Sequence, residues 1–354
     1  MTTLHADYDI AALAARLRRA QRGTVRDDTL ARALYSTDAS NYRVVPDAVL
    51  LPRTESDLIT ALAVAREAGA PVAMRGAGTS MAGNALGGLV IDCSRHLNAI
   101  LDLDPAGRTA TVQPGVVLSD LLAAVKPHGL TFAADPSSAS RCTLGGMIGN
   151  NACGAHSVAW GTTAANLRGL RVVTGTGDLL DLQVPDGPRD RAALAAPGPL
   201  GALQLAHLDL AMSAEHLIRD RFGTFARQIS GYSLEHLLPE RGVDLVRLLC
   251  GSEGTLASTL TAQVALVQVP PAVVLLALGF PDAIAAADSI PLLLPHNPLT
   301  VESINATLVD RLPADVRARA RAAGLPTGST WLLVELGADE PEAARALAAE
   351  LAGT

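Results

Sequence analysis

Apolar positions Leu4, Ile10, Leu13 and Leu17 recur at helical spacing and predict a helix over 4–22, with a second short helix over 27–35. Pro46-Asp-Ala-Val-Leu-Leu-Pro52 brackets an apolar strand between prolines. Thr54 then caps a helix with Asp57 at the box position, and Gly69 ends it. Short strands follow at Pro71 to Met74 and Leu89 to Asp92. Strands 99–103 and 109–113 flank the hairpin signal Asp104 to Arg108. Ser119 starts a helix that stops at Pro127 and Gly129. A second hairpin joins Leu170–Val173 to Leu179–Val184 across Thr174 to Asp178. Residues 185–200, rich in proline and glycine, read as a loop, 201–221 as a helix and Leu245 to Leu249 as a strand. After Pro270-Pro271 strands (273–279, 299–304, 330–336) alternate with helices (282–290, 306–322, 339–352), the rhythm of a second, α/β domain. It stops straight after a helix, which reads as a domain cut short.

Three small-residue segments punctuate this pattern: 75–83, 136–154 and 251–255. The first, MRGAGTSMAG from Met74 to Gly83, sets three glycines and two hydroxyls behind Arg75. Small residues let successive N–H groups form a concave anion nest. A Walker loop needs Gly-Lys-Ser/Thr, and the one lysine, Lys126, follows Val125. A dinucleotide fingerprint needs G-x-G-x-x-G, but Gly83 comes two positions late after Gly76 and Gly78. Three such segments far apart suit an extended dinucleotide better than a mononucleotide.

Composition narrows the class. The chain has 354 residues, 49% of them apolar, which suffices for about two domains with cores. A net charge of −7 argues against nucleic acid as the partner. No apolar run reaches the roughly 18 residues of a spanning helix, and no signal-peptide layout opens the chain. The expected location is cytoplasmic, with peripheral contact at the inner membrane as the alternative. Cys93, Cys142, Cys153 and Cys250 include no C-x-x-C pair and read as buried free thiols, with no metal site.

The order of signals resembles the vanillyl-alcohol-oxidase/p-cresol-methylhydroxylase (PCMH-type) superfamily of FAD-linked enzymes. The resemblance rests on Pro46 to Leu58, Arg75-Gly-Ala-Gly-Thr-Ser80 with Gly83, Pro136-Ser-Ser138 with Thr143-Leu-Gly-Gly146 and Asn150-Asn-Ala-Cys-Gly154, and Gly251-Ser-Glu-Gly-Thr-Leu256. It covers about 42–270. Ser230-Gly-Tyr-Ser-Leu234 with Leu237 and Leu238 is similar to a segment of the D-2-hydroxyacid dehydrogenase branch (the flavoprotein of glycolate oxidase, D-lactate and D-2-hydroxyglutarate dehydrogenases). The insert 185–226 resembles the large bacterial members fused to an iron–sulfur domain. The implied fold class is α+β: an N-terminal helical segment 1–41, a two-subdomain FAD-binding domain 42–270, and a partial α/β cap domain 271–354.

The resemblance also implies roles. Ala77, Gly78, Thr79 and Ser80, with Gly76 and Gly83, would hold the FAD pyrophosphate, and Arg75 would orient the loop. Pro136, Ser137, Thr143, Gly146 and Asn150 to Gly154, Ala152 included, would lie along the flavin and ribityl chain. Val172 or Val173 would meet the adenine, and Glu253 and Gly254 would belong to the third turn beside the ribityl or adenosine part. Thr79 stands where some members carry a flavin-linking histidine, so FAD is expected to be non-covalent. The branch's base and divalent metal come from paired histidines late in the cap, and no such motif is found, so the catalytic residues stay unassigned. Iron–sulfur cysteines are likewise missing, and both groups are expected only in further C-terminal regions. The expected partners are a small D-2-hydroxyacid and an electron acceptor: an iron–sulfur domain, a quinone or a cytochrome chain.

Alternatives stay open. Asn150 and Asn151 could merely cap a turn, and Glu253 could satisfy backbone donors near it. His156 reads as a proton acceptor or as a structural residue, and Tyr232 as packing. Asp92 and Asp102 fit strand-end and hairpin positions better than a ribose site. Arg16, Arg18, Arg19 and Arg22 read as a solvated helix face. For the whole, a dehydrogenase unit competes with a flavin-binding subunit or inactive fragment that needs a partner. An NADPH-dependent UDP-sugar reductase of the same fold is disfavoured by the insert and by Ser230 to Tyr232.

Overall fold

The computed structural model describes residues 8–225, 227–322 and 324–353. The chain forms two compact units, Met1–Phe132 with Ser137–Ala152 and Thr162–Leu266, and Ala133–Pro136 with Cys153–Gly161 and Val267–Thr354.

The first unit holds two sheets. Strands β1 (Thr24–Arg26), β2 (Ala48–Leu51), β3 (Val72–Arg75) and β4 (Leu89–Asp92) form one, in the order β1-β2-β4-β3. β2 and β3 run parallel to β4, while β1 is antiparallel to β2. Parallel strands need both faces covered. Leu50 and Ile91 pack on helices Ile10–Ala20 and Glu55–Glu67 through Leu13, Leu17, Leu58 and Ala61. Val49 and Val90, one residue away, point to the opposite face, where Tyr35 packs on them. Strands β5 (Ile100–Asp104), β6 (Thr109–Val112), β8 (Leu167–Thr174), β9 (Leu179–Gln183) and β10 (Ala257–Ala265) form the second sheet, with β7 (Leu130–Thr131) between β6 and β8 in the chain. Its order is β5-β6-β10-β8-β9, antiparallel throughout.

The expected box at helix Glu55–Glu67 is present: Thr54 accepts from the Asp57 amide and Asp57 accepts from the Thr54 amide. Asp57 also accepts from the Arg22 and Arg53 amides, at 2.8 and 3.1 Å. Burial would raise its pKa, but these donors outweigh burial and hold the carboxyl below its usual range.

In the second unit, β11 (Val267–Gln268) precedes β12 (Ala272–Phe280), β13 (Thr300–Asn305) and β14 (Thr330–Ala338). The strand–helix alternation is realised as an antiparallel sheet, β12-β14-β13, with β14 inserted between two strands that are parallel to each other. Leu332, Val334 and Leu336 face helices Ala283–Leu293 and Pro341–Ala352. Trp331, Leu333 and Glu335 therefore take the other face.

Several local expectations change. Leu245–Leu249 is a helix, not a strand, because Asp244 accepts from the Arg247 amide and nucleates a turn. Helix 201–221 divides at Ala214 into Pro199–Ser213 and Glu215–Arg221. The 185–200 loop contains a capped turn, Arg191–Leu194, and the start of the next helix. The helix assigned to Ser119 begins at Leu118 with no side-chain cap. Helix 306–322 splits into Ala306–Asp310 and Ala314–Ala322 around Pro313. The first helix runs Ile10–Ala20 from an Asp9 cap, and Leu4 lies outside the described residues. On that helix Arg16 and Arg18 pair with Glu67 and Asp27. Among the described residues no helix is long and apolar enough to cross a membrane.

Asp57→Ala should cost about 1–2 kcal/mol in urea unfolding, the usual size of a lost cap. Because the folded pKa is depressed, the charged carboxylate stabilises above the unfolded value of about 4. That contribution is lost as pH falls through the folded value, so Asp57→Asn should flatten the acid limb of the stability curve.

Candidate functional site

β3 delivers the chain from the first sheet straight into the loop that follows Arg75. Gly78 and Gly83 take φ of +66° and +82°, a region costly for other residues. A Cβ at Gly83 would lie 2.7 Å from the Tyr42 ring. Among the described residues, no main-chain N–H from Gly76 to Met81 donates a hydrogen bond, and the Thr79 hydroxyl makes none. Half-buried backbone donors ordinarily find partners, so this run is a set of donors without an acceptor. Its carbonyl side is fixed: Gly78 accepts from the Ala39 amide at 3.0 Å. The Arg75 guanidinium donates to the carbonyls of Thr37 and Ala85, at 2.9 and 3.2 Å.

Helix Leu144–Asn150 meets this loop. A Cβ on Gly76 would overlap the Thr143 hydroxyl, so only glycine permits the approach. Asn84 donates to the Asn150 side chain at 3.1 Å, and Asn150 donates to the Gly146 carbonyl at 2.9 Å. The Thr143 hydroxyl caps the helix by accepting from the Gly146 amide at 3.3 Å. The third segment joins the far end: the amides of Gly251 and Glu253 donate to the carbonyls of Ile148 and Gly149, both at 2.8 Å. Segments about 70 and 170 residues from the first thus converge in the first unit.

Individual residues divide accordingly. Asn151, in the left-handed region at φ +46°, is buried and accepts from the Ala164 amide, so the turn-capping reading holds for it. Asn150 is half-buried and faces the loop through Asn84. Ala152 binds main chain: its amide donates to Met147, and its carbonyl accepts from the Thr163 amide and hydroxyl. Glu253 is exposed at φ +55°, and among the described residues its carboxylate accepts no hydrogen bond, against the reading that it satisfies backbone donors. Gly254 lines a cavity of about 270 Å³ with Arg66, Val72, Val173, Thr174 and Leu256. Val173 lines this cavity; Val172, 1% exposed, is enclosed in the second sheet. Ser137 is exposed. Tyr232 bonds the Thr255 hydroxyl at 2.8 Å, and Asp92 accepts from Tyr35 and Ser94, so both act within the protein.

Pro136 and Gly154 belong to the second unit, where a polar cluster forms around His156. The Asp135 carboxylate bonds the His156 Nδ1 at 2.6 Å and accepts from its amide at 3.0 Å. Nε2 lies 3.3 Å from Glu335, and the ring stacks on Trp160 at 4.7 Å. The Asp135 bond raises the imidazole pKa; burial opposes it, and Glu335 adds to the rise. Both ring nitrogens face carboxylates, so His156 is clamped between Asp135 and Glu335 rather than left as a free proton acceptor. The sequence signal for the stack was the four-residue spacing of His156 and Trp160; nothing local pointed to Glu335. Among the described residues no group of three or more His, Cys, Asp or Glu could hold a metal. Among the described residues no cysteine is in a disulfide.

Residues 46–183 match the family model described as FAD binding domain. These residues form an FAD-binding domain of the PCMH type. Among similar proteins, D-2-hydroxyglutarate dehydrogenase of Pantoea ananatis is 34% identical over 292 residues, 80% of this chain and 28% of the relative. The enzyme of that name from Escherichia coli K12 is 32% identical over 80% of this chain and 29% of its own length. The glycolate oxidase subunit GlcD of Bacillus subtilis is 32% identical over 69% of this chain and 42% of its own. The chain thus spans less than half the length of these relatives. In fold, it matches an alkyldihydroxyacetonephosphate synthase with a TM-score of 0.68 at 18% identity, over 99% of this chain and 61% of that one.

Two outcomes test this geometry. Gly76→Ala should destabilise the protein by about 1–3 kcal/mol, the usual cost of overpacking. Thr143→Ala in the same chain should recover part of that loss in thermal melts, although it removes a cap. Separately, a raised His156 pKa means that its ion pairs stabilise fully below the unfolded value of about 6.5. This stability is lost as pH rises through the folded value. His156→Gln should abolish that alkaline decline in unfolding curves.

Proposed function

We propose that this chain is the flavin-binding part of an FAD-dependent dehydrogenase that oxidises a D-2-hydroxyacid of the D-lactate or D-2-hydroxyglutarate class. The observation that carries the reading is the run of unpaired N–H groups from Gly76 to Met81, held against helix Leu144–Asn150. Such a donor set fits a diphosphate: several aligned N–H dipoles and two hydroxyls supply directional positive charge without needing a lysine. The names of the relatives support the substrate class.

In this reading Gly76 to Ser80 hold the pyrophosphate through main chain, with Thr79 and Ser80 adding hydroxyl donors. Thr143 and Gly146 set the helix against the loop, and Asn150 orients Asn84. Gly254 and Val173 offer the 270 Å³ cavity to the adenosine end. Ser137 and Ala152, in the first unit, border the remainder of the cofactor. Bound FAD supplies a hydride acceptor, so that the substrate loses a hydride from C2 and a proton from its hydroxyl. Asp135 and Glu335 face the two ring nitrogens of His156, so the base is assigned to none of the described residues.

FAD is proposed to be non-covalent, since Thr79 offers no imidazole to tether it. Acid precipitation of the purified yellow protein should leave a colourless pellet; a yellow pellet counts against this. The full chain should bind FAD and bleach with D-lactate or D-2-hydroxyglutarate under anaerobic conditions. FAD binding without bleaching by either acid would favour a second reading, drawn from the glycolate oxidase subunits among the relatives. There the chain is a flavin subunit that turns over only with a partner carrying electrons to an iron–sulfur, quinone or cytochrome acceptor.

A further inference from the structure

An arginine at the mouth of an anion nest is ordinarily taken as an anion ligand. The surroundings of Arg75 point elsewhere. Two of its guanidinium nitrogens donate to main-chain carbonyls, Thr37 at 2.9 Å and Ala85 at 3.2 Å. Ala85 follows the loop, and Thr37 lies in the segment whose Ala39 amide bonds the Gly78 carbonyl. The guanidinium carbon lies 5.2 Å from the centroid of the Tyr35 ring, within cation–π range. The Gly78 backbone presses on the same group: a Cβ there would come 2.6 Å from Nη2 and 2.9 Å from Cζ. Tyr35 is itself fixed. Its hydroxyl donates to Asp92 at 2.6 Å, and burial followed by that bond pushes its pKa up to about 12, so it stays a donor. Asp92, 4% exposed, also accepts from the Ser94 amide and hydroxyl, which anchors the chain to the end of β4.

We infer that Arg75 is a positioning residue: with Tyr35 and Asp92 it forms a brace that holds the glycine loop in its donor-outward shape, and it is not itself the cofactor's phosphate ligand. This rests on the FAD reading above. Charge alone does not make a brace. It requires a planar fork that reaches two carbonyls while lying on an aromatic ring, which lysine cannot reproduce. Tyr35, remote in sequence and without an anion-binding group, should therefore matter as much as Arg75.

The experiment titrates the full chain, stripped of flavin, with FAD and with ADP as a competitor, for wild type, Arg75→Lys, Arg75→Met, Tyr35→Phe, Tyr35→Leu and Tyr35→Leu/Arg75→Met. Thermal melts establish that each variant is folded. Hydrogen exchange of the Ala39 amide, bonded to the Gly78 carbonyl, reports loop position with no cofactor present. The expected result is a loss of about tenfold or more in FAD affinity for Arg75→Lys, Arg75→Met and Tyr35→Leu, roughly 1.4 kcal/mol. The double variant should lose no more than either single one, because both break one device. Tyr35→Phe keeps the ring but loses the Asp92 anchor and should fall between wild type and Tyr35→Leu, and Ala39 should lose protection in the three weak binders. The losses should not shrink at high salt, as they would for a phosphate charge contact. Wild-type affinity in Arg75→Lys, with no effect of Tyr35→Leu and unchanged Ala39 protection, overturns the inference. A wild-type chain that binds neither FAD nor ADP sinks the cofactor reading instead, and Ala39 exchange still decides the brace.

Discussion

The main chain at Gly76 meets the Thr143 side chain with no room for a Cβ, and the seating of the glycine loop depends on that approach. The loop leaving β3 touches the N-terminal turn of helix Leu144–Asn150 so closely that one methyl group would collide with the cap residue Thr143. Among the described residues the loop's N–H groups from Gly76 to Met81 stay without an acceptor, and those N–H groups are the chemistry the site has to offer. The same helix carries the third small-residue turn on its C-terminal carbonyls. A single seven-residue helix therefore sets two loops that are far apart in sequence.

The loop needs support because it cannot support itself. Unpaired donors and left-handed glycines cost conformational freedom on folding. The structure meets this with rigid neighbours: a parallel strand pair buried on both faces beneath it, and an Arg75–Tyr35–Asp92 chain tying it to its flanks. Buried apolar packing supplies most of the stability, while the polar contacts set the shape. In the second unit the division is similar. Leu332, Val334 and Leu336 pack on helices, and the opposite face presents Glu335 to the clamped His156.

The site's chemistry is legible in the sequence wherever a residue type is tied to a backbone need. Glycines at 76, 78 and 83, the Thr54–Asp57 box and the small-residue turns all follow this logic, as does Gly254 at the cavity. A local signal misleads where it has two meanings. Leu245 to Leu249 is apolar enough for a strand, but the Asp244 cap makes it a helix. Val172 and Val173 are neighbours on a strand with opposite faces, and periodicity alone could not say which one borders the cavity.

By itself the sequence determined the FAD-binding class, the three small-residue segments and the α+β alternation of elements, because these rest on local spacing and on glycine's freedom from a Cβ. Tertiary structure alone decided who partners whom. It set Tyr35 beneath Arg75 from 40 positions away and brought Glu335 to His156 across 179. It also made the last sheet antiparallel, a matter of pairing that no run of apolar residues encodes. Such contacts depend on how distant segments close on one another, and spacing within a segment carries no record of that closure.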